Sequence, residues 1–504
     1  MKKRTFLLLP LLIAALTGCG GGEPAEDSST PASASPSSGA PISTPSGGSK
    51  VKISFWHTFG QKPEAALKSK VSKFVELVKQ NENVDVEVEC SYQGAYKDMP
   101  RKVTTAIATG DQPTIAIAYP DHVADYLALE GNQPGKYVVN LDTYLNDPAL
   151  TFGTDAYLGD TMPESDMIQS YMEEGRVLPR QGTYLIPFMK STEIMCYNLT
   201  AVKRAMSFAY PQVPVDKVKE FMTTVTWEQL LNIAAAAYEH KEEISSRLEY
   251  PIYYDSDSNL FITELYQNNV AYSSIDSNGK GKIDFEEAGE LAKAKTIVNS
   301  LKKAHDDHLL TTKGVEGTYA SNNFKDCKTL FSIGSTGGTG YTIPDAGQFE
   351  AAFAKVPTMG GENGRVGYIS QGPSICFLNN PSLPNQADNE LALKYAWKLV
   401  KYLTSKQVNV SLCVSGSEGY SPVRNSCYTT ETYSDFIEEG ESYSEAALVT
   451  QNDINGQFFN SAVFTGSATL RNEVGSLITN VLNGKATLDD AFATAINNAK
   501  KDIK

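Results

Sequence analysis

Between Lys50 and Leu129 the hydrophobic period alternates between the strand value of two and the helical value of 3.6. Lys50–Trp56 alternates and is β-branched, which predicts a strand. Pro63–Gln80 places apolar Ala66, Leu67, Val71, Phe74, Val75 and Val78 at helical spacing. Val84–Cys90 alternates strictly and predicts a second strand; Tyr96–Thr109, closed by Gly110, predicts a second helix. Thr114–Tyr119 is a third strand and Asp121–Leu129 a third helix. This order requires right-handed crossovers and a mostly parallel sheet covered by helices. Ligands of such sheets bind beyond the carboxyl ends of the strands. Residues 56–60, 92–96 and 119–121 therefore fall on one rim.

Ahead of this pattern stands an address. Lys2, Lys3 and Arg4 precede an apolar run, Phe6–Leu16, and then Thr17, Gly18 and Cys19. The run is shorter than the roughly 20 residues of a membrane span and has the layout of a signal peptide over residues 1–18. Cys19 is the expected lipidation site. Each buried CH₂ contributes about 0.8 kcal/mol, so more than one acyl chain is needed for a stable anchor. Residues 19–49, rich in Ser, Pro and Gly, lack the apolar residues of a core and form an expected disordered leash. Loss of the three leader cations takes the net charge from −15 to −18. An acidic body of this kind argues against nucleic acid as a partner. Beyond Cys19 the cysteines are scattered without a CxxC, so neither a zinc knuckle nor a dense disulfide framework is expected. Cys413 and Cys427 flank one loop and could pair or stay free thiols.

Further along, Thr183–Asn198 reads as a strand interrupted by polar Lys190–Glu193. Thr226 precedes a helix with Gln229 three residues on, a capping-box spacing. Helices are expected at 228–239, 286–305, 390–403 and 468–501, the last broken near Gly484. Trp227 and Trp397 are expected to pack. Asp276–Glu287 imitates an EF-hand loop, but Lys280 occupies a position that needs an oxygen ligand. A hairpin leading into a helix is expected there. His305 and His308 lie three apart in a polar helix end, and Gly334–Gly340 lacks the Gly-Lys-Ser/Thr of a P-loop.

Five segments occur in a telling order: Ile53–Thr58, Gly110–Pro113, Pro187–Asn198, Thr226–Glu228 and Gly419–Arg424. In order and spacing the chain resembles the family 1 extracellular solute-binding proteins of ABC importers across nearly all of residues 50–504. Tyr92–Tyr96, Phe324–Gly338 and Gly466–Arg471 are most similar to the branch that binds glycerol 3-phosphate. The resemblance implies an α/β, two-lobed periplasmic-binding-protein-like (type II) fold with several hinge crossings, near Met189, Cys376 and Asn425. Lobe one would comprise 50–189 plus 376–425, and lobe two 190–375 plus 426–504. It also implies ligand contacts at Tyr96, Asp121 (nearest to the family's glutamate), Ser191, Ser335, Gly372 and Tyr420, with Arg471 as the anion fork. Trp56 is added as an aromatic on the rim, since sugars need flat faces for stacking and fixed hydrogen bonds.

The expected activity is capture of a small polyhydroxylated solute and its delivery to the transmembrane subunits of an ABC permease. The location is outside the cytoplasm, held to the membrane by the lipid on Cys19. No catalytic residues, metal or cofactor are expected. A lipid-anchored carbohydrate-active enzyme is the alternative, and an anchored adhesin a third reading.

Overall fold

The first strand, β1 (Val51–His57), buries Val51, Ile53, Phe55 and His57 on one face, as its alternation requires. In this computed structural model residues 50–160, 162–360, 364–416, 419–440 and 442–503 are described. The leader, Cys19 and the Ser/Pro/Gly tract lie outside the described residues. Strands β2 (Val86–Tyr92) and β3 (Ile115–Ala118) flank β1 in parallel, with Val51 opposite Val86 and Phe55 opposite Ile115. The helices between them, Gln61–Glu82 and Met99–Thr109, make the crossovers, and the second ends on Gly110 at φ 80°. Strand β4 (Ile186–Pro187) completes this first run of the chain.

The second sheet is built from β5 (Glu193–Asn198), β6 (Ile252–Tyr254), β9 (Leu310–Thr312), β10 (Phe331–Ser335) and β11 (Ala351–Lys355). A hairpin of β7 (Ser273–Ile275) and β8 (Gly281–Ile283) stands apart from it. Short β12 (Tyr368–Ile369) pairs with β14 (Phe458–Phe459). Between them β13 (Ser374–Phe377) returns to the first sheet, whose order is β2-β1-β3-β13-β4; the second runs β11-β5-β10-β6-β9. Each sheet is mixed. In the first, β13 lies antiparallel to β3 and β4; in the second, β5 lies antiparallel to β10 and β11.

Both sheets are covered on both faces, which explains strands that are apolar throughout rather than alternating. In the first, Ile115 and Ile117 face one cluster with Phe55 and Trp397, while Ala116 and Ala118 face another with Met99 and Val103. In the second, Met195 and Tyr197 face Leu230 and Ile478, while Ile194 and Cys196 face Phe324 and Phe353. Each sheet therefore carries its own core, and the fold is a two-lobed, periplasmic-binding-protein-like α/β fold. Cys427 and Tyr433, past the expected Asn425 crossing, still pack with the first core, and Ala446 packs with the second.

The chain segments between the lobes lie side by side. Ser191 and Gln371 exchange backbone hydrogen bonds of 3.0 and 2.9 Å, and Lys190 and Ser421 exchange bonds of 3.0 and 2.6 Å. Gly372, at φ 95°, touches the first segment so closely that a Cβ would sit 2.5 Å from the Met189 carbonyl oxygen and 2.6 Å from Ser191 N. No other residue type fits that approach or takes that φ without strain.

Smaller expectations resolve in place. Thr226 accepts from Gln229 N at 3.2 Å, and Gln229 Oε1 accepts from Thr226 N at 2.9 Å, a complete capping box. Trp227 and Trp397 are buried. Asp276 Oδ1 accepts from Asn278 N and Lys280 N in the tip of the β7–β8 hairpin, and Lys282 pairs with Asp284 and Glu287. Cys413 and Cys427 are both buried, and no disulfide joins them. No helix of the described residues is long and apolar enough to cross a membrane.

Candidate functional site

The rim of the first sheet brings three loops to the second lobe. Beyond β1 stand Thr58 and Phe59; beyond β2, Tyr96; beyond β3, Tyr119, which caps the helix Pro120–Ala128. The ring of Tyr96 stacks on that of Tyr119 with centroids 5.0 Å apart and planes 22° apart. Offset stacks of this kind hold two flat faces rigidly. The Tyr96 hydroxyl stands beside Thr58 and Tyr420. It makes no well-formed hydrogen bond, and neither does Thr58 Oγ1. Buried hydroxyls with only such loose neighbours are groups that a polar ligand would satisfy.

Tyr420 joins this cluster from the third interlobe segment. Its ring meets Phe59 edge-on at 6.4 Å and lies over Gly337 of lobe two, where a Cβ would come within 2.6 Å of Cζ. Gly337 belongs to the turn that Ser335 caps, Ser335 Oγ accepting from Gly337 N at 3.2 Å. Thr336 N in turn donates to the Thr192 carbonyl at 2.8 Å. The glycine-rich loop thus serves as a flat seat for an aromatic side chain. Burial raises the phenols of Tyr96, Tyr119 and Tyr420, keeping them as neutral donors.

Arg471 comes from the helix Ser467–Leu482. Its charge acts on Tyr119 and His122 of lobe one and on Glu193 and Tyr272 of lobe two. Among the described residues, the hydrogen-bond partner of Arg471 is Asn259, which accepts from Nη2. Asn259 Nδ2 then donates to Glu193 Oε1 at 2.8 Å, and Tyr254 OH donates to the other oxygen. Burial pushes the Glu193 carboxyl up to about 7, against those two hydrogen bonds and the guanidinium, which pull it down. Asp121 Oδ1 accepts from His122 N at 3.0 Å. Burial lowers the pKa of the His122 imidazole. The lobes touch here: Gly466 N donates to Asp125 Oδ1 at 2.9 Å.

Behind the cleft, Lys190 and Glu174 form a buried ion pair, and Ser370 Oγ donates to the second Glu174 oxygen. Lys190 lies on the first interlobe segment and Ser370 beside the second. One ion pair therefore ties both to the lobe-one helix Gln169–Glu174.

Seven of the eight expected residues converge. Tyr96, Asp121, Tyr420 and Arg471 surround Tyr119, whose hydroxyl approaches the Gly372 amide. Ser335 holds the loop under Tyr420, and Ser191 is bonded to Gln371 beside Gly372. Trp56 packs instead, half-buried, on the apolar cluster of Met99, Val103 and Val123. It points away from the β1 face that carries His57, because neighbouring strand residues alternate. Glu193, Asn259, Tyr254 and Tyr272 were not anticipated. Glu193 had a signal, a carboxylate inside an otherwise apolar strand; the other three come from β6 and its following segments, which carry no motif.

The chain covers 89% of its length with the GacH receptor of Streptomyces glaucescens, solved unliganded and with acarbose, at 18% identity and a TM-score of 0.61, spanning 97% of that chain. UgpB of Mycobacterium tuberculosis in complex with glycerophosphocholine matches at 15% identity and a TM-score of 0.63, over 89% of this chain and 97% of that one. An ABC substrate-binding protein of Listeria monocytogenes in complex with cycloalternan matches at 14% and 0.62, over 90% and 99%. At these identities the likeness shows the fold. No curated protein matches the sequence. Residues 76–438 match the family described as bacterial extracellular solute-binding protein, more than half of the chain. The chain belongs to the bacterial extracellular solute-binding protein family.

Proposed function

We propose that this protein captures a sugar, oligosaccharide or glycerol-phosphate-type solute between its lobes and hands it to the transmembrane subunits of an ABC permease. One observation carries the reading. Tyr119, stacked on Tyr96 in lobe one, feels the charge of Arg471 from lobe two, and Tyr420, from between the lobes, stands beside Tyr96 and lies over Gly337 of lobe two. A solute held there contacts both lobes at once, so its binding energy favours the closed state over the open one. Stacked phenol faces, loosely bonded hydroxyls and the guanidinium of Arg471 suit a polyol. The similar proteins above, solved in complex with acarbose, glycerophosphocholine and cycloalternan, fall in the same range of chemistry.

The leader adds a location. Leu16–Cys19 marks Cys19 for lipidation, and residues 20–49 make a leash that holds the receptor close to its permease and raises its effective concentration there. A thermal-shift screen over sugars, oligosaccharides and polyol phosphates tests the reading: stabilisation by at least one class is expected, and lost in Tyr96→Ala. Turnover of a glycoside without retention would sink it in favour of an anchored enzyme. Incorporation of labelled palmitate into the wild type and not into Cys19→Ser tests the anchor.

A further inference from the structure

The charge of Arg471 is already answered from behind. The Asn259 amide is oriented with its oxygen towards the guanidinium and its nitrogen towards Glu193. That polarity matches a cation at one end and a carboxylate at the other. Glu193 is 3% exposed, at the start of β5 opposite Ser335, so its charge is not dispersed into water. The other titratable groups facing it are Tyr254 from β6 and Asp255 just beyond, whose carboxylate accepts from Ala320 N at 2.8 Å. From lobe one, Asp121 acts on the same Tyr119, His122 and Tyr272 that Arg471 acts on. Above about pH 7, where Glu193 is ionised, the cleft around Arg471 thus sets two carboxylates, Asp121 and Glu193, against one guanidinium.

A phosphate or sulfate group is best held by a free, bidentate guanidinium edge with net positive charge. Here Nη2 is engaged by Asn259, and the surrounding charge is not positive. A hydroxyl needs only single donors and a face on which to stack, both of which this cleft supplies. We infer that Glu193, acting through Asn259, offsets the charge of Arg471 and makes the cleft select an uncharged polyhydroxylated solute over its phosphorylated or sulfated form. This rests on the solute-binding reading above and narrows it. Glu193 is a positioning residue in this scheme, since it reaches the solute only through Asn259 and Arg471.

The test uses inorganic sulfate, whose charge is constant across neutral pH, and maltose as an uncharged probe. In Glu193→Gln, sulfate binding at about pH 8 is expected to tighten at least tenfold, while maltose affinity stays within about twofold. In the unmodified protein sulfate binding is expected to tighten as pH falls from about 8 to about 6, and this dependence should vanish in Glu193→Gln. Arg471→Gln should abolish the sulfate response in both backgrounds. Unchanged sulfate binding in Glu193→Gln overturns the inference. So does parallel loss of both probes, which would mark Glu193 as structural. A pH dependence that survives the substitution would move the effect to Asp255 or His122 and also overturn it. A protein that binds no polyol, yet gains sulfate in Glu193→Gln, keeps the charge balance and loses the solute reading.

Discussion

Lys190 and Glu193 stand three residues apart on one segment, both buried and both charged by type, and the fold uses them in opposite ways. Lys190 meets a carboxylate directly, with a serine hydroxyl on the far oxygen, so the pair at the hinge is closed on itself. Among the described residues Glu193 accepts from neutral donors, Tyr254 and Asn259, and its counter-charge is one amide away on Arg471. A closed pair can only hold position. A relay with one end in the cleft leaves its charge adjustable by whatever arrives there. The difference separates the mechanical part of a two-lobed protein from the part that reads the solute.

The largest expected effect breaks the closed pair. Lys190→Met leaves Glu174 buried and unpaired, and denaturant unfolding should show a loss of about 3–5 kcal/mol. The double variant Lys190→Met, Glu174→Met should recover most of it; no recovery would mean that the two residues act separately. Next, Gly372→Ala forces a Cβ to 2.5 Å from the Met189 carbonyl oxygen at a positive φ. A loss of about 2–4 kcal/mol is expected from strain and overpacking together. A change under about 1 kcal/mol would mean that the interlobe segments can separate freely.

The relay should reveal itself in pH. Glu193 moves from an ordinary 4.5 to about 7 in the folded chain. Between these values the native state holds a proton that the unfolded state has released, so stability falls as pH rises through that window. Each unit corresponds to about 1.4 kcal/mol for a fully buried group. Glu264, raised to about 8 by burial, adds a slope of the same sign that extends higher. Unfolding of Glu193→Gln should show a flatter profile from about pH 5 to about pH 7; an unchanged slope would remove Glu193 from the titration. The smallest effect is a control remote from both sites. Thr226→Ala removes half of the capping box and should cost about 1 kcal/mol in thermal unfolding without altering any binding.

Much of this was legible in the residues. The first three strands and their helices fall within a few residues of their predicted ranges, because period and caps are local signals. The helix pair Ser467–Leu482 and Leu488–Asp502 breaks around Gly484 at φ 71° for the same reason. Less legible was the mixed character of the sheets. β13 enters the first sheet from more than 250 residues away, and nothing local tells an antiparallel partner from a parallel one. Trp56 reads as a rim aromatic by type, and the alternation of β1 turns it to the face opposite His57, half-buried against Met99 and Val103.

The chain by itself determined the strand–helix alternation of residues 50–129 and the aromatic character of the rim. Both depend on short-range signals, the hydrophobic period and the residue types that follow each strand. Tertiary structure alone decided which charges meet. Lys190 found Glu174, and Glu193 found Tyr254 and Asn259, because two sheets and three interlobe segments brought them together. In a low-dielectric interior the identity of a charge's neighbour, rather than its position in the sequence, sets what that charge can do.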